Sequence, residues 1–301
     1  MCRGQVTGGG CRQLQGQNVR VSHRTLITAD DLASKFGQSV AAVPVVLDVR
    51  WTLAGSDRNA YLHSHLPGAV FVDLDRDLAG PPGLGGRHPL PDPLELQEVW
   101  RAAGIDDDST VVVYDGGGGL AAARAWWLLR WSGLPDVRVL DGGFAVWVAD
   151  PSRPVRSGEV SAEPGSVTVR PGAMPVVDAD EAEALAAGES GVLVDARAAA
   201  RFRGEIEPLD PVAGHIPGAV NLPIGELLEP DGTFRGRAEL AAAFAAVGIS
   251  GAGPVAASCG SGVTACQLIL AGELAGLDLA LYPGSYSQWC ALGRPVATGI
   301  A

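Results

Sequence analysis

Cys259 is the residue whose surroundings most clearly favour chemistry. It lies in the stretch SCGSGVTAC, between the apolar run PVAAS and a segment with helical spacing. Gly260 and Gly262 let the backbone curl so that its N–H groups converge, and a helix beginning at Val263 and Thr264 adds the positive end of its dipole. We expect these groups to favour a nucleophilic thiolate on Cys259 and to hold an anion, such as a persulfide, on its sulfur.

The alternative interpretation of this cysteine is structural, because a small apolar residue at the end of a buried strand is often cysteine. The two glycines and the helix start favour the functional interpretation. Phosphoester hydrolysis by a cysteine needs an arginine six residues after the nucleophile, and Ala265 stands there instead. We predict that Cys266 and Cys290 pack in the core, and the cysteine spacing is not typical of a zinc site. Sulfur transfer through a persulfide needs only the thiolate and the N–H groups.

The chain contains an internal duplication, because four blocks recur in the same order and at a nearly constant offset. The third pair of blocks aligns Asp115 with Cys259, so the first copy lacks the cysteine. The paired blocks are VVLDVR with VLVDAR, HLPGAVFVDL with HIPGAVNLPI, VVVYDGGGG with VAASCGSGV, and VLDGGFAVW with LYPGSYSQW. Two homologous domains therefore cover about residues 23–150 and 172–301, joined by a linker over 151–171 that is rich in Pro, Ser and Gly.

Each copy alternates short apolar strands with helical patterns, which predicts an α/β fold of parallel sheets with helices on both faces. Helical spacing is clearest over residues 94–103, 120–131, 238–247 and 263–275. Ligands bind such sheets beyond the carboxyl ends of the strands. Cys259 directly follows a predicted strand, so we expect it at that edge.

Composition excludes some classes of partner. The net charge of −12 argues against nucleic acid, which needs a basic face. No run of eighteen uninterrupted apolar residues predicts a membrane span, so we expect no membrane partner. Residues 1–22 lack the apolar core of a signal peptide and are interpreted as a disordered leader. The cysteine pattern predicts no disulfide framework and a reducing compartment, which we take to be the cytoplasm.

The blocks CGSGVTAC, DARAAARFRG, AGHIPGAVN and YDGGGG resemble those of the tandem-domain rhodanese-like sulfurtransferases, over nearly the whole chain after about residue 23. The resemblance implies two rhodanese-like domains, of which only the second is catalytic, with the active site in the cleft between them. It implies that a sulfane sulfur moves from thiosulfate or 3-mercaptopyruvate through a Cys259 persulfide to a thiol, a thioredoxin-like protein or cyanide. No metal or organic cofactor is expected. A non-catalytic module that binds proteins or carries sulfur is the alternative, and the intact cysteine loop weighs against it.

The residues after the cysteine suggest the donor. Thiosulfate-preferring members of the family usually carry two basic residues there, whereas this chain has Gly260 and Ser261, which resembles the mercaptopyruvate subgroup. The resemblance implies that Ser261 joins His88 and Asp75 of the first domain to relay a proton to the enolate that leaves. The alternative is that His88 only hydrogen-bonds its neighbours and that Asp75 caps a helix.

Arginine is the natural partner of the carboxylate of mercaptopyruvate. Arg201, in ARFRG, matches the first of two arginines that the subgroup uses. The second lies in a segment E-P-R-D, where this chain reads E-P-L-D with Leu209. Arg197 and Arg203 could compensate, or the donor could be another sulfur compound. Arg197 could instead form a structural ion pair with Asp195.

Overall fold

Short strands and helices alternate throughout the chain, and the computed structural model describes them in residues 25–36, 43–188 and 191–300. The predicted leader over residues 1–22 lies outside the described residues. None of the helices in those three ranges combines the length and the hydropathy needed to cross a bilayer.

The first half of the chain is built on a parallel five-stranded sheet with the order β1-β7-β6-β2-β5. The strands β3 and β4 form a separate antiparallel hairpin. The strands are β1 (Leu26–Ile27), β2 (Val45–Asp48), β3 (Trp51–Thr52), β4 (Gly55–Ser56), β5 (Val70–Phe71), β6 (Thr110–Tyr114) and β7 (Asp136–Leu140). The helices are α1 (Ala29–Phe36), α2 (Arg58–His63), α3 (Leu74–Asp77), α4 (Pro93–Ala102), α5 (Leu120–Trp131) and α6 (Gly143–Val148).

The second half repeats this plan with a parallel four-stranded sheet in the order β11-β10-β8-β9. A parallel bridge from Val176 to Leu281 extends the β11 edge, as β1 does in the first half. The strands are β8 (Val192–Asp195), β9 (Val220–Asn221), β10 (Val255–Ser258) and β11 (Ala280–Leu281). The helices are α7 (Ala179–Ala186), α8 (Ala199–Phe202), a 3-10 turn (Ile224–Leu227), α9 (Arg237–Ala246), α10 (Val263–Ala275) and α11 (Ser285–Ala291). The parallel sheets and the four helices predicted from spacing are confirmed, with helix bounds within one residue of the prediction.

The helices α5 and α10 pack against each other where the two halves meet. Both are apolar and buried on nearly all sides, as expected for helices enclosed by protein. One hydrophobic core consequently runs through both sheets, from Leu47 and Val113 to Val194 and Ala257. Each fully buried side chain of this kind contributes about 2 kcal/mol relative to exposure, so the core resists separation of the halves.

The segment predicted as a linker lies along the first half, to which its backbone is hydrogen-bonded. The N–H groups of Gly165, Val167 and Arg170 donate to carbonyls of that half at 2.8, 3.1 and 2.9 Å. A Cβ at Gly165 would lie 2.2 Å from the carbonyl oxygen of Ile105. Only glycine fits so close an approach, and the segment therefore follows a defined path.

The loop after β6 is closed around an internal anion. The carboxylate of Asp115 accepts hydrogen bonds from the backbone N–H groups of Gly117, Gly119, Ala121 and Ala122 at 2.9 to 3.2 Å. Burial raises the pKa of this carboxyl, and the four N–H groups act in the opposite direction. The loop that precedes α5 therefore has the geometry of an anion-binding site, and the carboxylate of Asp115 occupies it.

The substitution Asp115→Ala is expected to lower the free energy of unfolding by about 3 kcal/mol, because it leaves buried N–H donors without an acceptor. Urea denaturation followed by circular dichroism measures the change. Asp108→Ala, at an exposed position in the same half, is the matched control and should cost less than about 0.5 kcal/mol. An equally small cost at both positions would contradict a structural role for the Asp115 carboxylate.

Candidate active site

A cavity of about 540 Å³ lies between the two halves at the carboxyl end of β10. The second half contributes the residue after that strand, Cys259, and the first half contributes the segment before α4. Residues of both halves line its wall, among them Trp51, Asp75, Arg87, His88, Arg197, Arg201, Leu209, Cys259, Gly260, Ser261, Val263 and Thr264. The prediction that Cys259 lies at a sheet edge, in a cleft between the domains, agrees with this position.

The loop that carries Cys259 is held by the start of α11. Sγ of Cys259 accepts a hydrogen bond from the N–H of Gly262 at 3.1 Å, and the N–H of Cys259 donates to Oγ of Ser285 at 3.1 Å. Gly262 has φ of +80°, and a Cβ there would lie 2.3 Å from the carbonyl oxygen of Pro283. Glycine at this position thus serves both the left-handed turn and the close approach of the two loops. The backbone N–H of Gly262 is in this way aimed at the sulfur.

Three predicted site residues from different parts of the chain form a hydrogen-bonded row beside this loop. The hydroxyl Oγ of Ser261 lies 2.7 Å from Nδ1 of His88, and Nε2 of His88 lies 3.1 Å from Oδ1 of Asp75. Trp51 donates its indole N–H to the same carboxylate at 2.9 and 3.0 Å. Because the carboxylate of Asp75 accepts a hydrogen bond from the N–H at Nε2, Nδ1 of His88 remains as the acceptor for the serine hydroxyl.

The imidazole of His88 is uncharged near neutral pH. Burial lowers the pKa of His88 below its usual 6.5. The hydrogen bond that His88 donates to Asp75 acts in the opposite direction, and the nearby charges of Arg124 and Arg87 lower the pKa further. A neutral imidazole with a free acceptor nitrogen can take a proton from Ser261, and Asp75 would stabilise the imidazolium that forms.

Arg124 fixes the segment that carries His88, and sequence reasoning did not identify it. It is completely buried in α5 and donates to the carbonyl oxygens of Leu78, His88 and Pro89 at 3.1 to 3.3 Å. The available signal was a single arginine within the otherwise apolar first two turns of that helix. The helix that meets the second half therefore also anchors the histidine.

Arg201 reaches the cavity with two carboxylates behind it. Its Nη2 lies 2.6 Å from Glu207 and 3.3 Å from Asp210. Burial favours the neutral acid, but hydrogen bonds from Arg201 and from the N–H groups of Leu209 and Asp210 leave the pKa of Glu207 below its usual value. Leu209, at the position where the family resemblance places a second arginine, presents an apolar side chain to the cavity.

Arg197 lines the cavity but makes internal contacts. It pairs with Asp195 at 2.8 Å, donates to the carbonyl of Gly214 at 2.8 Å and lies 4.1 Å from the ring centroid of Tyr286. In the half without the cysteine, Arg50 pairs with Asp48 in the same way, over Phe144. This repetition favours the structural alternative, and contact of Arg197 with a substrate stays a prediction. Arg203 pairs with Glu205 and is not among the lining residues.

The other two described cysteines have different surroundings. Cys266 donates to the carbonyl of Gly262 at 3.2 Å, and burial raises the pKa of its thiol to about 12. Burial also raises the pKa of Cys290. Within residues 25–36, 43–188 and 191–300, no cluster of His, Cys, Asp and Glu has the arrangement of a metal site.

Comparison with known proteins gives a consistent result. The sequence signature of the Rhodanese-like domain family matches residues 28–150 and 178–292. A Mycobacterium tuberculosis protein named as a thiosulfate sulfurtransferase, SseB, is 45% identical over 92% of this chain and 98% of its own length. A Pseudomonas aeruginosa protein named as a 3-mercaptopyruvate sulfurtransferase is 45% identical over 93% of this chain and 100% of its own. The crystal structure of SseA, a 3-mercaptopyruvate sulfurtransferase of Escherichia coli, superposes with a TM-score of 0.75 at 33% identity, covering 87% of this chain and 99% of that one.

Iodoacetamide at pH 8 is expected to alkylate Cys259 and to leave Cys266 unmodified in the folded protein. Both side chains are buried, but Cys259 lines the cavity, whereas Cys266 does not and is on the order of 10⁻⁴ thiolate at that pH. Peptide mapping by mass spectrometry distinguishes the two sites. Cys259→Ser is the control, in which the α10 peptide should stay unmodified; labelling of Cys266 at the rate of Cys259 would contradict this assignment.

Proposed function

The chain belongs to the Rhodanese-like domain family, and on that premise we propose the following function. The protein is a sulfurtransferase that moves a sulfane sulfur from a small donor to a thiol or cyanide acceptor through a persulfide on Cys259. The observation that carries the proposal is the hydrogen bond from Gly262 N–H to Sγ of Cys259, 3.1 Å long, at the wall of a cavity large enough for a small donor.

The first half-reaction is attack by the Cys259 thiolate on the terminal sulfur of the donor. With 3-mercaptopyruvate, the S–S bond to Cys259 forms as the carbon–sulfur bond breaks, and the electron pair of that bond leaves as the enolate of pyruvate. The enolate carbon then needs a proton, and the donor thiol has one to give. Overall, the thiolate and mercaptopyruvate become a persulfide anion and pyruvate, with no change in total charge.

The row of Ser261, His88 and Asp75 supports mercaptopyruvate as the donor, because it can carry that proton. His88 accepts the Ser261 proton at Nδ1 as the serine takes the proton of the donor thiol. The imidazolium, stabilised by Asp75, returns the proton through the serine to the enolate carbon. Geometry and the low pKa of the histidine both suit this cycle.

Thiosulfate is the second donor that we propose. Sulfite leaves with the electron pair of the broken S–S bond and needs no proton, so the reaction would bypass the histidine. In the second half-reaction, a thiol, a thioredoxin-like protein or cyanide attacks the outer sulfur of the persulfide and returns the Cys259 thiolate. Free thiols at all three described cysteines fit a reducing compartment. We therefore propose that the acceptor is met in the cytoplasm.

Incubation with 3-mercaptopyruvate, followed by intact-mass measurement, is expected to show a gain of one sulfur atom. Cyanide should remove that sulfur as thiocyanate. The gain should be lost in Cys259→Ser and retained in Cys266→Ser, the matched control on the neighbouring helix. An undiminished gain in Cys259→Ser would refute the persulfide mechanism.

Replacement of His88 by Gln is expected to reduce kcat with mercaptopyruvate by about 10²-fold or more, because the proton relay is interrupted. The thiosulfate reaction of the same variant should keep most of its rate. In the wild type, the ratio of kcat/KM for mercaptopyruvate to that for thiosulfate should stay level as the pH falls from 7.5 and decline only below pH 6.5, since protonation of His88 removes the acceptor nitrogen that only the first donor needs. Equal losses with both donors would contradict a proton-relay role.

A further inference from the structure

The cavity beside Cys259 is larger than the proposed donors need. Cavities of about 300 to 1,000 Å³ hold drug-sized ligands, and this one measures about 540 Å³. Mercaptopyruvate has about seven non-hydrogen atoms and thiosulfate about five, so either donor leaves much of the space unfilled. The side chains that line the cavity should therefore indicate what else it accepts.

Apolar side chains from both halves form part of the cavity lining. Leu53 lies at the turn of the β3–β4 hairpin, and Leu209 lies in the segment after α8. Leu120, Ile224 and Val263, which are less exposed, complete this apolar lining. None of the five side chains can donate or accept a hydrogen bond. The apolar lining therefore favours contact with an apolar group over contact with a charged one.

Two members of the apolar lining are exposed to solvent, and each lies on a backbone segment that is held in place. Leu53 is 75% exposed and Leu209 is 43% exposed. The hairpin that carries Leu53 is anchored by Ser56, whose Oγ donates to Asp73 at 2.7 Å. The N–H of Leu209 donates to the buried carboxylate of Glu207 at 3.0 Å. Exposed apolar surface at a fixed position beside the proposed nucleophile favours a ligand that covers it.

The proposed reaction has one participant whose substituent is free to vary. Mercaptopyruvate and thiosulfate are anions with no apolar group larger than a methylene, and cyanide is a small anion. The acceptor thiol reacts only through its sulfur, so the rest of the molecule can be apolar. It enters after pyruvate or sulfite has left, when the space beside the persulfide is free.

The burial of Cys259 favours a small thiol over a cysteine on a protein surface. Cys259 is only 2% exposed and lies at the cavity wall. The sulfur of a protein cysteine is one carbon away from the backbone, so the polypeptide around it would have to enter the cavity. A small thiol with a carbon chain can reach the persulfide and leave its chain against the apolar lining.

We propose that Leu53 and Leu209 form an acceptor subsite, which binds the carbon chain of a small apolar thiol during sulfur transfer from Cys259. The proposal rests on the sulfurtransferase function above. The sulfur of the acceptor bonds to the outer sulfur of the persulfide as the S–S bond to Cys259 breaks, and the electron pair of that bond returns to Sγ. Overall, a thiol and a persulfide anion become the persulfide of the acceptor and the Cys259 thiolate, with no change in total charge.

Single-turnover transfer to two thiols of different length tests the acceptor subsite. The protein is loaded with sulfur from thiosulfate or mercaptopyruvate, freed of donor and mixed with 3-mercaptopropanol or 6-mercaptohexanol. Intact-mass measurement then follows the loss of the extra sulfur. Each buried methylene is worth about fourfold in affinity, so the second-order rate constant should be about tenfold or more higher for the six-carbon thiol. Leu53→Ser and Leu209→Ser should each lower this preference to about threefold or less.

Leu94→Ser is the matched control, because Leu94 is exposed on α4 and is not among the lining residues. This variant should keep the full preference, and thermal unfolding of every variant checks the fold. Equal rate constants for the two thiols in the wild type, or an undiminished preference in both other serine variants, would overturn the subsite. A thioredoxin-like protein that reacts more slowly with both variants, while the preference between the thiols is unchanged, would also overturn it, since the leucines would then contact a protein surface.

The loading step separates failure of this inference from failure of the function. A one-sulfur gain on Cys259, followed by equally fast transfer to both thiols, would overturn the acceptor subsite and leave the sulfurtransferase intact. No gain from either donor would refute the function itself.

Discussion

Backbone N–H groups at the start of a buried helix need an acceptor, and this requirement shapes the chain twice. In the first half, the carboxylate of Asp115 accepts four of them before α5. In the second, the sulfur of Cys259 takes the corresponding place before α10 and is bonded by Gly262. The proposed nucleophile and the structural carboxylate are thus two acceptors for backbone donors at equivalent places in the two halves. The proposed nucleophile therefore lies where the other half has a buried hydrogen-bond acceptor.

The two helices that follow these loops also join the halves. Because α5 and α10 are apolar on nearly all sides and pack together, the loops at their starts are brought near each other, and a cavity remains at that end. One buried arginine in α5 then fixes the segment that carries His88. The packing of the halves, the cavity and the proposed proton relay therefore depend on the same pair of helices. Neither half holds a complete site by itself.

Much of this architecture could be predicted from the sequence, because it depends on local patterns. Apolar periodicity located α5 and α10, and the duplication aligned Asp115 with Cys259. The grouping of Ser261, His88 and Asp75 was anticipated only through family resemblance, since residues so far apart carry no spacing signal. Arg87, in the cavity wall, was not anticipated, because its backbone hydrogen bond to Ser287 of the other half depends on how the two sheets pack. Such a contact is a property of the interface between the halves, and no periodicity in either half encodes it.

The occupied loop of the first half has a consequence for how local order changes during turnover. Its donors are satisfied as soon as the chain folds, by a group that no reaction removes. In the proposed cycle, the loop of the second half holds in turn the sulfur of Cys259 and its persulfide, and the two accept hydrogen bonds to different extents. Local order around α10 should therefore rise and fall with every turnover, while that around α5 stays constant. The first half should thus keep the same local order throughout, while that of the second half changes.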